Sequence, residues 1–259
     1  MTDLKPTKSK HSMPPIPPPL PPPFVLKPSS YTLDYFGCKF TVRQSNTCIT
    51  SAMWDSGHIL LKYMEQSNNK IFQEIRAMDA TVTPQSYFRH QTILELGAGV
   101  GHVGLAIVLG LNPKEYIFTD YKVDEIRRNV QSIQDGKQGL DLRKSKVGIL
   151  RVDWHDDPSL CYKSCSVPDI VLCIDCVWIE ELYVPLLKHI LYLSALNTNL
   201  VFVLGHQKRE QGAFDGFFRI LVNNNFVLRK VYDEELSPGA SSPVVGLFIA
   251  KRQKKEHLL

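Results

Sequence analysis

The stretch TILELGAGVGHVGLAIVLG, residues 92 to 110, restricts the fold more than any other segment. An apolar strand runs directly into Gly97, Gly99 and Gly101, and a helical pattern follows. Glycines at such a junction permit a tight turn and let backbone come close to a ligand. The alternation continues downstream, predicting strands over 92–96, 115–119, 147–152, 169–175, 198–205, 226–232 and 244–250. Helices are predicted over 102–110, 122–134, 180–194 and 209–223. Strands and helices alternating through short connections build a mostly parallel sheet with helices on both faces. The last two strands are joined by the turn-rich EELSPGASSP without a helix, so an antiparallel C-terminal pair is expected at the sheet edge. The expected fold class is α/β, a seven-stranded Rossmann-like sheet.

A chain of 259 residues with 44% hydrophobic composition can bury one full core. Residues 1–30 hold ten of the seventeen prolines and read as a disordered leader that samples polyproline II. An SH3, WW or profilin-type contact through that leader stays open. The main domain is expected over 31–253. It opens with a hairpin, YTLDYFGCKFTVRQS, turning at Gly37, and a helix over about 56–66 with Asp55 as its N-cap. Residues 254–259 form a basic tail.

The formal charge of +4, less +3 in residues 1–30 and +3 in residues 251–259, leaves −2 for the body. A slightly acidic body suits a cationic substrate better than a phosphate backbone. KRQKK could be a nuclear or RNA-contact signal, though a solvated C-terminus is the preferred reading. No apolar run reaches the ~18 residues of a membrane span, and no secretory h-region opens the chain. A soluble, monomeric, cytoplasmic protein is expected, with the nucleus open. Of the six cysteines, Cys173 and Cys176 stand three apart; on a strand they would face opposite sides, which argues for buried apolar thiols and no metal.

Open parallel sheets bind ligands at the carboxyl ends of their strands. The glycine loop fits a dinucleotide fingerprint imperfectly, because His102 occupies the third glycine place when counting starts at Gly97. Glu95 inside the strand would repel a pyrophosphate and could bind an ammonium or orient the loop. Asp120, ending YIFTD, is placed to bond both hydroxyls of a ribose. A nucleoside with a cationic tail satisfies both acids.

Each of the three tryptophans falls where the cleft should be: Trp54 before the first helix, Trp154 ending VDW, and Trp178 after the fourth strand of the sheet. The flat face of Trp154 suits adenine, with Asp153 near the exocyclic amine. Asp175 ends an apolar run at the same edge, where it reads as a functional carboxylate or as a helix cap.

Taken together, RQSNTCITSAMWDSGHILLKYME, ILELGAGVGHVGLA, FTD, VDW and IDCVWIEELYVPLLKHI resemble the signature segments of the family 16 protein-lysine methyltransferases, in the class I, seven-strand superfamily that uses S-adenosyl-L-methionine. The resemblance covers about residues 31–253. It implies that Trp54, Gly97, Ala98, Gly99, Asp120, Trp154 and Ile174 contact the cofactor, with Glu95 and Gly101 completing the motif. It also places Asp175 and Trp178 in the family's Asp-x-x-Tyr motif, where tryptophan replaces the usual tyrosine. The implied activity is methylation of a protein lysine. Translation elongation factor 1-alpha is the leading substrate, with chaperones or AAA ATPases behind it.

Methyl transfer to an amine is an in-line displacement that needs a neutral lysine and no metal. Asp175 could receive and aim that amine, and an aromatic at 178 could hold its cation. Two competitors remain. An adenine-N6 methyltransferase would also use this cofactor, but usually carries two prolines where this chain has Cys176 and Val177. A catalytically inactive cofactor-binding adaptor would keep the fold and recruit partners through the leader. At the rim, His206 is a minor candidate for a general base, and Gln207, Lys208 and Arg209 for substrate selection.

Overall fold

A computed structural model describes residues 29–45, 52–66, 87–177, 179–207, 213–232 and 245–253. The proline-rich stretch up to residue 28, Trp178, Lys208, Arg209 and the tail from residue 254 lie outside the described residues.

Strands β1 (Ser29–Tyr35) and β2 (Cys38–Gln44) pair antiparallel as the hairpin. Its turn carries Phe36 at φ 54° and Gly37 at φ 72°, the two left-handed positions that match hairpin twist. Helix α1 spans Asp55–Glu65. Trp54, and not Asp55, is its extended N-cap, and no side chain caps it. Asp55 lies inside the first turn, where a carboxylate faces the positive end of the helix dipole.

The main sheet contains β3 (Thr92–Leu96), β4 (Glu115–Asp120), β5 (Lys146–Arg151), β6 (Ile170–Ile174), β7 (Val201–Gln207), β8 (Phe226–Tyr232) and β9 (Val245–Arg252). Their order is β5-β4-β3-β6-β7-β9-β8. β3 through β7 run parallel, whereas β9 is antiparallel to both β7 and β8. This is the seven-stranded, mostly parallel, Rossmann-like sheet expected from the sequence. The final strand inserts between β7 and β8, so the outermost strand is β8.

Between the strands run α2 (His102–Leu111), α3 (Asp124–Gln134), the short α4 (Pro158–Cys161), α5 (Tyr183–Leu196) and α6 (Ala213–Asn223). Alternate residues of each strand feed two cores. Ile93, Tyr116 and Phe118 pack with α1, α2, α3 and the hairpin; Leu94, Leu96 and Ile117 pack with α5 and α6. The strand order reverses between β3 and β6. A crevice opens at such a switch point.

Candidate active site

The glycine loop is built from left-handed backbone. Gly97, Gly99 and Gly101 have φ of 66°, 59° and 81°, a region that costs other residues roughly 1–2 kcal/mol. The Ala98 amide donates to the Thr119 carbonyl at 2.9 Å, and the Gly101 amide to the Ala98 carbonyl at 2.8 Å, so the loop is folded back onto β4. A Cβ at Gly97 would stand 2.9 Å from Cys176 Sγ and 3.4 Å from Trp154 Cζ2. The bare backbone there lets strand β6 and the indole close against the loop.

Asp120 terminates β4 beside this loop and is buried. Its Oδ2 accepts the Gly99 amide and its Oδ1 the Lys122 amide, each at 2.9 Å. Burial pushes its carboxyl up to about 6, against the pull of those amides. Glu95 lies on the other side of the loop, facing α2. Its Oε2 accepts the Tyr116 hydroxyl at 2.9 Å, and it also bonds to the Gly104 backbone. Burial raises it to about 8. The Glu95 carboxylate therefore stands behind the loop, tying β3 to β4 and α2. Gly101 serves as the N-cap of α2, packed near Phe118 and Ile126.

A cavity of ≈ 350 Å³ opens at the carboxyl ends of β3 to β6. It brings together Trp54, Gly97, Gly99, Asp120, Trp154, Ile174 and Asp175, seven of the candidates read from the sequence. Its lining does not include Glu95, Ala98 or Gly101. Tyr121, Val152, His155, Cys176, Ile179 and Leu182 complete much of the wall; sequence reasoning singled out none of these as contacts. Their signal was adjacency, since most lie within two or three residues of a strand-end acid or tryptophan.

Asp153 also lines the cavity, but its Oδ1 accepts the His155 backbone amide and meets His155 Nδ1, both at 3.0 Å. Those contacts hold its carboxyl below the usual range.

At the end of β6 the chain reverses. Asp175 has φ 54°, and its amide donates to the Gly205 carbonyl at 2.8 Å. The Asp175 side chain is only 4% exposed, with Oδ1 3.9 Å from His206 Nδ1. Cys176 follows that reversal outside β6, so strand alternation does not set where it faces, and Cys173 and Cys176 are both buried. The neighbouring Cys173 side chain and burial push the Cys176 thiol well above its ordinary range, and its Sγ donates to the Leu96 carbonyl at 3.0 Å. Among the described residues no group of metal-ligating side chains could hold an ion. The 3₁₀ turn Glu180–Leu182 begins at Ile179 without a side-chain cap.

The residues fit S-adenosyl-L-methionine. Asp120 can accept from ribose hydroxyls, the Trp154 indole offers a flat wall, and the Gly97–Gly99 backbone leaves room that a Cβ would fill.

A family model described as "Lysine methyltransferase" matches residues 39–223. Mouse protein-lysine N-methyltransferase EEF2KMT is 32% identical over 108 residues, covering 39% of this chain and 32% of that protein. Protein-lysine N-methyltransferase EFM6 of Saccharomyces cerevisiae is 26% identical over 190 residues, covering 70% of this chain and 72% of that protein. The chain thus spans about a third of the length of the EEF2KMT-type relatives it matches. A solved magnesium protoporphyrin IX methyltransferase from Synechocystis with bound S-adenosylmethionine aligns with a TM-score of 0.46 and 15% identity, over 81% of this chain and 86% of that one. With its family model matched across most of the sheet and the whole cavity wall, this chain belongs to the lysine methyltransferase family.

Proposed function

We propose that this chain is an S-adenosyl-L-methionine-dependent protein-lysine N-methyltransferase. The observation that carries the reading is that one cavity joins Asp120, a ribose-type acceptor, to Asp175, a second carboxylate at the next strand end but one in the sheet. Family membership names the reaction class.

When bound, the cofactor supplies an electrophilic methyl group on a sulfonium. The protein's own residues do the rest. Asp120 fixes the ribose end while its bonds to the Gly99 and Lys122 amides fix Asp120. Trp154, Val152 and Ile174 exclude water from the apolar half of the cavity. Asp175 receives the incoming ammonium at Oδ1 or Oδ2 and directs the nitrogen along the transfer line, a geometric contribution that lowers the barrier by restricting approach. A carboxylate alone would stabilise the ammonium form, so the ammonium gives its proton to solvent water at the cavity mouth as the lysine stem is desolvated between Ile179, Leu182 and Trp54. Trp178 supplies an aromatic wall, with a cation–π contribution of order ~1 kcal/mol.

The proposed substrate is a protein lysine, with translation elongation factor 1-alpha first and a chaperone or AAA ATPase next. The resemblance of the signature segments and the −2 charge of the body support a basic protein surface as partner. The domain organisation is proposed as a leader over 1–30, a catalytic domain over 31–253 and a tail over 254–259, and the working compartment as the cytoplasm.

Asp175→Ala and Asp175→Asn test the assignment. Both should bind S-adenosylhomocysteine like the unmodified protein and lose at least about 100-fold in methyl transfer. Transfer retained in both variants would remove Asp175 from the mechanism; no transfer by the unmodified protein to any protein would favour the adaptor.

A further inference from the structure

His189 lies in the middle of α5 and is 0% exposed. Its Nε2 stands 3.2 Å from the Trp154 carbonyl oxygen, and its Nδ1 2.9 Å from the Tyr162 hydroxyl. A carbonyl oxygen only accepts, so Nε2 carries the proton and donates to Trp154. Nδ1 is then the acceptor, and Tyr162 donates to it. The Tyr162 ring meets the imidazole edge-on, with centroids 5.5 Å apart and planes at 85°. Burial lowers the His189 pKa, opposed by the backbone carbonyls it touches, which keeps the ring neutral near pH 7. Both ring nitrogens are thereby committed to one segment. That segment contributes Val152, Asp153, Trp154 and His155 to the cavity wall.

The geometry points to His189 as a positioning residue for the cofactor half of the site. Acting through the Trp154 main chain, it sets how far the indole and Asp153 stand into the cavity. Helix α5 is suited to this because it is anchored at both ends of the same wall: it follows Ile179 and Leu182, which line the cavity, and His189 comes two turns after Leu182. Tyr162, in turn, holds the ring in place by donating to Nδ1, so that Nε2–H stays aimed at Trp154. The inference rests on the reading that this cavity binds S-adenosyl-L-methionine.

The test is calorimetric titration with S-adenosylhomocysteine of the full chain and four variants. His189→Leu should weaken binding about tenfold or more, because it removes two buried hydrogen bonds and orphans the Trp154 carbonyl and the Tyr162 hydroxyl. His189→Gln, whose amide can reach the same carbonyl, should restore affinity to within about threefold. Leu193→Ala, in the core of the same helix, should lower the melting temperature and leave affinity unchanged, which separates positioning from general weakening. Tyr162→Phe should fold and weaken binding by a few-fold through loss of the hydrogen bond that holds the imidazole in place, and it decides the matter if His189→Leu does not fold. Affinity equal to that of the unmodified protein in His189→Leu or, failing that, in Tyr162→Phe overturns the inference. So does an equal loss of affinity in Leu193→Ala. No binding by the unmodified protein would instead overturn the cofactor reading beneath it.

Discussion

Asp120 Oδ2 accepts the Gly99 amide at 2.9 Å, joining the acid that ends β4 to the loop that follows β3. This single bond aligns the carboxylate proposed to accept the ribose with the glycine backbone. Burial raises the Asp120 carboxyl to about 6 in the ligand-free protein, so the acceptor is charged above that pH and neutral below it. Affinity for S-adenosylhomocysteine should therefore hold from pH 8 to 7 and fall as the pH drops through 6. Asp120→Asn should weaken binding at pH 7.5 by about 10- to 100-fold, the effect of losing a charge-assisted acceptor, and should flatten the profile. Calorimetry across that pH range measures both.

Glu95 sets a second pH dependence, in stability. Its folded-state value of about 8 lies above the ordinary 4.5. Its favourable contribution is thus complete below pH 4.5 and is lost as the pH rises to 8, at about 1.4 kcal/mol per pH unit. Urea midpoints should fall between pH 6 and 8, and Glu95→Gln should remove most of that slope while keeping a partner for Tyr116. An unchanged slope in Glu95→Gln would show that another group carries it.

Gly97 combines φ 66° with a virtual Cβ only 2.9 Å from Cys176 Sγ. Gly97→Ala should cost roughly 1–2 kcal/mol from the left-handed backbone alone, plus the collision with the thiol. Adding Cys176→Ala should recover the collision part and leave the backbone part. The two melting curves, compared with Cys176→Ala alone, resolve the two contributions.

Asn129 of α3 joins three parts of the fold. Its Nδ2 donates to the Val100 carbonyl at 2.9 Å and the Arg43 carbonyl at 3.0 Å, and its Oδ1 accepts the Arg43 amide at 2.8 Å. The N-terminal hairpin is thereby fastened to the glycine loop. Asn129→Ala should destabilise the protein by about 2–4 kcal/mol, since buried main-chain groups lose their partners. Asn129→Asp should be worse, as a carboxylate would face two carbonyls. Chemical denaturation checks both.

How far the sequence carried these conclusions varies by residue. The strand, glycine loop, helix and following acid were legible because period and glycine punctuation are local signals. Asp120 reaches the cavity because it ends β4, and Trp154 because it lies three residues beyond the end of β5 at the same edge of the sheet. Which way Glu95 faces depends on Tyr116 in the neighbouring strand, a register that no local pattern encodes. Cys176 falls outside β6 because Asp175 takes a left-handed conformation that a strand period cannot anticipate. The insertion of β9 between β7 and β8 is likewise a non-local pairing. His189 gave no sequence signal, being a buried histidine on an apolar helix face whose hydrogen-bond partners Tyr162 and Trp154 lie 27 and 35 positions away.

The central claim is methyl transfer to a protein lysine. The purified chain, incubated with isotopically labelled S-adenosyl-L-methionine and an extract from cells lacking the protein, should label a protein band, with mass spectrometry placing the label on a lysine side chain. Asp175→Ala should abolish that label. Label found only in RNA, or in no macromolecule, would contradict the account.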